Sequence, residues 1–396
     1  MNKKKTHISL LFLIALITAG QVKAQSLKSV INKAFQNAEQ QSLLMAKKYE
    51  YQQGRFPRSF EGGKDTSSDS RWWCSGFFPG SLWYLYENNK NQEVLKYAKL
   101  YTDRVEREKY TTDNHDVGFM LYCSFGNGLR LTGEERYKEV LLTGAKSLAT
   151  RYDPNVGLIR SWDHNTAVWQ YPVIIDNLMN LELMLWAANY SKDESFKKLA
   201  LSHADKSMIH HFRPNFSSYH VVSYDKKTGI PHKKQTHQGA ADDSAWSRGQ
   251  SWGLYGYTYL YRETKDKRYL EQAKHIANFL INHPQMPKDF IPYWDYNAPQ
   301  IPNTPRDASA ATVMASALVE LSDFVDAKLK KEYMQVVDKQ IRTLASEEYT
   351  AKLGENGDFI LKHSTGAYPF KSEIDAPLTY ADYYYLEALT RLKKRL

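Results

Sequence analysis

Two aspartates stand where helices are expected to begin, in surroundings that would tune them differently for proton transfer. In Thr111-Thr112-Asp113-Asn114-His115-Asp116-Val117-Gly118-Phe119, Asp116 occupies the helix start. An Asp there ordinarily accepts a hydrogen bond from a first-turn N–H, and the helix dipole favours its ionised form. In Tyr171-Pro172-Val173-Ile174-Ile175-Asp176-Asn177-Leu178-Met179-Asn180-Leu181, a single acid, Asp176, lies among Ile, Leu and Met. Such burial disfavours charge and raises the pKa toward the range a general acid needs near neutral pH. Capping is the simpler reading for both residues. The chemical reading is a carboxylate pair of opposite tuning, Asp116 ionised and orienting, Asp176 protonated and reactive.

Other segments supply material for a pocket. Trp72-Trp73-Cys74-Ser75-Gly76-Phe77-Phe78-Pro79-Gly80-Ser81-Leu82-Trp83 is either a packed core corner or a stacking platform for a ringed ligand. The run from Gln235 to Trp252 is the most polar and aromatic part of the chain and holds Gln238, Arg248 and Trp252. Arg248 and Trp252 are four apart, so on a helix they share a face. One can fork onto a carboxylate while the other stacks on a ring, or the two can simply pack together. His220, and Trp162 with His164, are further pocket candidates, although a lone His is more often a structural hydrogen-bonding residue. Neither Cys-x-x-Cys nor His-Glu-x-x-His occurs, and no calcium-loop spacing is present, so neither a metal nor another cofactor is expected.

The elements that must carry these residues read as helices. Apolar residues recur at three- and four-residue spacing over 27–49, 77–88, 92–107, 116–131, 134–150, 175–190, 194–211, 246–263, 267–283, 307–325, 328–346 and 377–394. That makes about twelve helices. Many are joined by short polar links, Glu87-Asn88-Asn89-Lys90, Thr132-Gly133-Glu134, Ser191-Lys192-Asp193 and Thr264-Lys265-Asp266-Lys267, which force antiparallel hairpins. About six hairpins suit a closed double ring, with an inner ring carrying the site and an outer ring facing water. A stacked helical solenoid shares this grammar. The long insertions at 151–173, 212–245 and 284–306 all precede aromatic helices, as loops building one active face would.

The chain has 396 residues, 42% hydrophobic and 13% aromatic, with a formal net charge of +9. Lys3, Lys4 and Lys5 precede an apolar run over 8–19 that ends at Gln21-Val22-Lys23-Ala24-Gln25. This predicts a secretory signal peptide over 1–24 and export, to the periplasm; the run is too short for a membrane span. Residues 25–396 then form a single domain, since no linker interrupts the pattern. Removing four lysines takes the charge from +9 to +5, with no basic-aromatic module for nucleic acid. A small acidic substrate fits better, with no membrane or nucleic-acid partner. Cys74 and Cys123 are the two cysteines; they can pair in an oxidising compartment or stay as buried thiols.

Trp-Cys-Ser-Gly-Phe-Phe-Pro-Gly (73–80), His-Asp-Val-Gly-Phe (115–119), Ile-Ile-Asp-Asn-Leu-Met-Asn (174–180) and Ser-Arg-Gly-Gln-Ser-Trp (247–252) together resemble glycoside hydrolase family 88, the unsaturated glucuronyl hydrolases. Ile291-Pro292-Tyr293-Trp294-Asp295 and Ser372-Glu373-Ile374-Asp375 extend the likeness over nearly all of residues 25–396. The resemblance implies an all-α (α/α)6 barrel that needs no metal. It also implies Asp176 as catalytic acid/base and Asp116 as its auxiliary, with Trp73, His115, His220, Gln238, Arg248 and Trp252 lining the site. The implied reaction hydrates the C4=C5 bond of a terminal unsaturated uronate left by a polysaccharide lyase. The same chemistry on pectin fragments, an inverting glycosidase acting on a saturated linkage, and an exported sugar-binding protein without activity are the alternatives.

Overall fold

The computed structural model describes residues 25–396; the expected leader over 1–24 lies outside them. The helices are α1 (Leu27–Tyr49), α2 (Phe77–Asn89), α3 (Gln92–Asp103), α4 (Val117–Leu121), α5 (Asn127–Thr132), α6 (Glu135–Ala149), α7 (Asn177–Ser191), α8 (Glu194–His210), α9 (Ser247–Thr264), α10 (Lys267–Ile281), α11 (Ala308–Leu321), α12 (Ala327–Leu344) and α13 (Thr379–Lys393). A π-helical turn, Tyr122–Gly126, joins α4 to α5, so the two form one rod. The inner ring runs α2, α4–α5, α7, α9, α11, α13 and returns to α2, which touches both α13 and α5. Outside it lie α3, α6, α8, α10 and α12, and α1 packs against α13 and α2. A solenoid cannot close in this way, so the double ring is the architecture.

Sequence explains which helix goes where. All of α11, Ala308-Ser309-Ala310-Ala311-Thr312-Val313-Met314-Ala315-Ser316-Ala317-Leu318-Val319-Glu320-Leu321, is buried, because an inner helix has protein on every side. On α12 only Tyr333, Val336, Val337, Gln340, Ile341 and Leu344 are buried, the single stripe of an outer helix. Four inner helices turn into outer ones through links of two residues, and α11 turns into α12 through five, Ser322 to Asp326. Lys90, Lys192, Lys265 and Gly133 end α2, α7, α9 and α5 in the left-handed region, with φ of 62, 62, 58 and 69°. In three of these links the next residue, Asn91, Asp193 or Asp266, caps the following helix by accepting from Glu93, Ser195 or Arg268 N–H.

The connections from outer to inner helices are long and all lie at the opposite end, so the six inner helices direct their N-termini to one face. These connections hold short strands that the helical periodicity did not anticipate: β1 (Phe56–Glu61), β2 (Lys64–Ser68), β3 (Tyr152–Asp153), β4 (Leu158–Ile159), β5 (Pro172–Ile174), β6 (Val221–Tyr224), β7 (Pro231–Gln235), β8 (Ser364–Ala367) and β9 (Ser372–Ala376). The β5–β6–β7 sheet is antiparallel, with Ile174 opposite Val221 and Val221 opposite Gln235. Cys74 and Cys123 are buried free thiols, so the disulfide option falls. No helix among the described residues is long and apolar enough to cross a membrane.

Candidate active site

A cavity of about 570 Å³ opens at the face where the inner helices begin, within the usual range for a small-molecule site. Asp116 and Asp176 both line it, each immediately before an inner helix, α4 and α7. Neither side chain caps its helix. The backbone does that work instead: Asp116 C=O accepts from Met120 N–H at 2.9 Å, and Asp176 C=O from Met179 N–H at 2.9 Å. Both carboxylates are therefore free of the role that would explain them most simply. The two helices touch at Gly118 and Asn180, where Phe119 N–H donates to Asn180 Oδ1 at 2.8 Å.

The opposite tuning expected for the pair does not hold. Burial pushes Asp176 up to about 7, against the pull of the Arg248 charge. Burial also pushes Asp116 up to about 8; the Asp176 charge adds to this, while Arg151 and an Asn180 hydrogen bond work against it. The helix start fails to keep Asp116 ionised because its carboxylate receives no first-turn N–H and sits beside a second acid. Two such groups titrate as a couple and hold a proton near neutrality.

His220 is set against Asp176 by the sheet: Ile175 N–H donates to His220 C=O at 3.1 Å, one step beyond the β5–β6 pairing. The His220 Nδ1 accepts from the backbone N–H groups of His237 and Gln238, each at 3.1 Å. An Nδ1 that accepts leaves the proton on Nε2. That Nε2 lies 3.9 Å from Asp176 Oδ2, and neither atom has a hydrogen-bond partner. Burial holds the ring neutral, well below the ordinary His range. His220 thus presents an N–H toward the acid.

His115 is also buried and neutral, pushed down to about 3 chiefly by burial, with Nε2 3.4 Å from Asp116 Oδ1. Gln238 lines the cavity and donates to Gly366 C=O at 3.2 Å. Trp73 is half-buried on the wall, tilted against Tyr380 at 4.8 Å between centroids. Trp162 and His164 line the cavity as a stacked pair at 5.3 Å.

Two expectations change. Arg248 lines the cavity, but its guanidinium is only 1% exposed and is largely engaged. Its Nη1 meets Asp307 Oδ2 at 3.0 Å and Thr365 C=O at 2.7 Å, and Nη2 meets Gly366 C=O at 2.6 Å. It acts on the site mainly as a fixed positive charge beside Asp176. Trp252 is 0% exposed and is not on the cavity wall; it packs against Phe119 and Tyr384, each at 5.3 Å. As a core residue it cannot stack on a ligand.

Sequence reasoning passed over Arg58, on β1, and gave Glu373, on β9, no role. Both line the cavity, joined by an ion pair of 2.5 Å. Neither period nor motif marks Arg58 in the sequence, where it stands 14 residues before Trp72. Among the described residues no group of three His, Cys, Asp or Glu side chains is placed to hold a metal.

Comparison with known proteins adds to this geometry. Residues 31–394 match the family model described as Glycosyl Hydrolase Family 88. An unsaturated glucuronyl hydrolase of Formosa agariphila is 45% identical over 339 residues, covering 85% of this chain and 84% of that one. An unsaturated chondroitin disaccharide hydrolase of Streptococcus pneumoniae is 32% identical over 337 residues, with coverage of 82% and 83%. A crystal structure of an unsaturated glucuronyl hydrolase specific for heparin superposes with a TM-score of 0.89 at 47% identity, covering 92% of this chain and 97% of that one.

Proposed function

The chain belongs to glycoside hydrolase family 88, and from that premise we propose that it removes the terminal 4,5-unsaturated uronic acid from glycosaminoglycan-type oligosaccharides left by polysaccharide lyases. The observation that carries this reading is the pair of uncapped carboxylates in one aromatic cavity, both held toward the protonated form by burial. A substrate whose reactive bond is a vinyl ether needs an acid that can protonate carbon near neutral pH and then act as base.

In this mechanism the Asp176 carboxyl donates its proton to C4, and positive charge develops at C5, shared with the ring oxygen. Water adds at C5 and its proton passes to the Asp176 carboxylate. The C5 hemiketal opens by breaking its bond to the ring oxygen. C5 becomes a ketone, while the ring oxygen stays on C1 and takes the proton of the C5 hydroxyl. C1 is then a hemiacetal that collapses to an aldehyde, the proton passing to the neighbouring sugar as it leaves. Asp116 holds the acid in place and shares its proton load, and His220 Nε2–H steadies whichever oxygen of Asp176 is charged. Trp73 offers a face to the flat unsaturated ring. The fixed Arg248 charge favours the uronate carboxylate on the Asp176 side. The leader-like sequence of residues 1–24 supports export to the periplasm.

The test is a panel of lyase-generated disaccharides from heparin, chondroitin, hyaluronan and pectin, followed by loss of the double-bond absorbance. Turnover of the glycosaminoglycan products is expected, with an Asp176→Asn loss of at least about 10²-fold. Turnover confined to pectin products, or a fully active Asp176→Asn variant, overturns the reading.

A further inference from the structure

Two guanidinium groups line the cavity, and they are in opposite states. Arg248 is 1% exposed, with both Nη atoms engaged by Asp307 and backbone carbonyls. The Arg58 side chain is 23% exposed, and its one protein hydrogen bond among the described residues uses Nε, which donates to Glu373 Oε1. Both of its Nη groups are left without a protein acceptor, an unusual state for a guanidinium inside a pocket.

The group is nevertheless held in place. Its carbon lies 4.2 Å above the ring of Trp72, which is itself 39% exposed and on the cavity wall. Glu373, which fixes the Nε edge, is buried, and its backbone N–H donates to Glu61 Oε1 on the same strand as Arg58, at 2.7 Å. At Gly366 an added Cβ would lie 2.3 Å from Glu373 Oε2, so the carboxylate fills its niche completely. Ring below and carboxylate at one edge leave the Nη edge as a preset fork for a planar or tetrahedral oxyanion.

The position of Arg58 says which oxyanion. Arg248, 1% exposed, lies deep in the cavity and its charge acts on Asp176, whereas Arg58, 23% exposed and set over the 39% exposed Trp72, lies nearer the solvent-open part of the wall. The uronate carboxylate is bonded to C5, next to the atom Asp176 protonates, and so belongs with Arg248. An anion at Arg58 belongs to the next sugar, where a glycosaminoglycan disaccharide carries sulfate.

We propose that Arg58, braced by Glu373 and Trp72, is a specificity-determining residue that binds a sulfate on the sugar adjoining the unsaturated uronate. The proposal rests on the hydrolase reading above. It is tested by measuring kcat/KM for matched unsaturated disaccharides with and without sulfate on the second sugar, in the wild type, R58Q and R58K, with thermal melting of each protein. In R58Q the sulfated-to-unsulfated ratio falls about 10-fold or more, through KM, as loss of a charge-assisted hydrogen bond requires. R58K recovers part of that ratio, and added salt erodes it in the wild type more than in R58Q. A ratio that stays within about twofold of the wild type in a folded R58Q overturns the proposal and leaves the hydrolase intact. A wild type that turns over neither disaccharide defeats the hydrolase reading itself.

Discussion

Replacing Gly118 by alanine should disable the enzyme without unfolding it. Gly118 follows Asp116 by two residues on α4 and meets Asn180, four residues after Asp176 on α7. A Cβ at Gly118 would lie 2.5 Å from Asn180 Cα, 2.7 Å from its Oδ1 and 2.8 Å from its Cβ, where ordinary contact begins at 3.4 Å. The obstacle is backbone, so no rotamer change relieves it, and the two helices must separate by about 0.9 Å, the difference between 3.4 and 2.5 Å. Such overpacking costs about 1–3 kcal/mol of stability. Separating the two carboxylates by that distance costs on the order of 10²-fold in rate. The assay is kcat/KM on an unsaturated disaccharide, read as loss of absorbance, beside a thermal melt. Gly144→Ala, on the outer helix α6, is the control: its Cβ would lie 2.1 Å from Leu121 Cδ1, the end of a flexible side chain of α4 rather than its backbone. It should lower melting while sparing most activity. A folded Gly118→Ala enzyme that keeps more than half of the wild-type kcat/KM, or a Gly144→Ala enzyme equally impaired, would refute the reasoning.

Two further outcomes follow from the site. Asp116 and Asp176 have folded pKa values of about 8 and about 7, above the ordinary 3.8, so the folded state binds more protons than the unfolded state between pH 4 and neutrality. Their burial is therefore harmless below pH 4 and costs stability as pH rises through those values. Asp116→Asn and Asp176→Asn should each melt higher than the wild type at pH 8 and match it near pH 4, by calorimetry; equal melting at both pH values defeats the assignment. Trp73→Ala should raise KM, whereas Trp252→Phe, deep in the core, should leave KM alone and alter only melting. The reverse pattern would return Trp252 to the binding surface.

The helices were legible because each is either apolar all round or striped, and the links between them are short. Helix α1 begins and ends where the periodicity places it, at 27 and 49. The π-turn at Tyr122–Gly126 left no mark, since Val117-Gly118-Phe119-Met120-Leu121 runs on into equally apolar residues. Asp116 and Asp176 were legible as a pair from their places before helices, and the upward shift of Asp176 was legible from its Ile, Leu and Met neighbours; the tuning of Asp116 was not, because it depends on how two distant segments bury each other. Trp252 misled for a related reason. It does share a face of α9 with Arg248, yet lies about 6 Å further down the helix axis, below the cavity floor. On an inner helix every face is buried, so sharing one does not mean reaching the ligand. Arg58 escaped notice because it lies on a short strand in a connection, where neither period nor motif singles it out.

The ring closes through α1 and α13, helices from opposite ends of the described chain. Inner helices run away from the cavity face and outer ones return to it, so α13 ends where α1 begins. Lys393 Nζ marks the junction, donating to Asn88 Oδ1 at 2.7 Å and lying 5.7 Å above the Phe35 ring. This sixth seam lacks the covalent link that the other hairpins have, and its halves meet only after the longest loop in the molecule has closed. Folding can begin in any of the five local hairpins, but the cavity gains its full wall only when the last helix docks beside the first. A circular permutant joining residue 396 to residue 25, and opened between Lys265 and Asp266, would move that final seam to the α9–α10 hairpin while keeping the same ring.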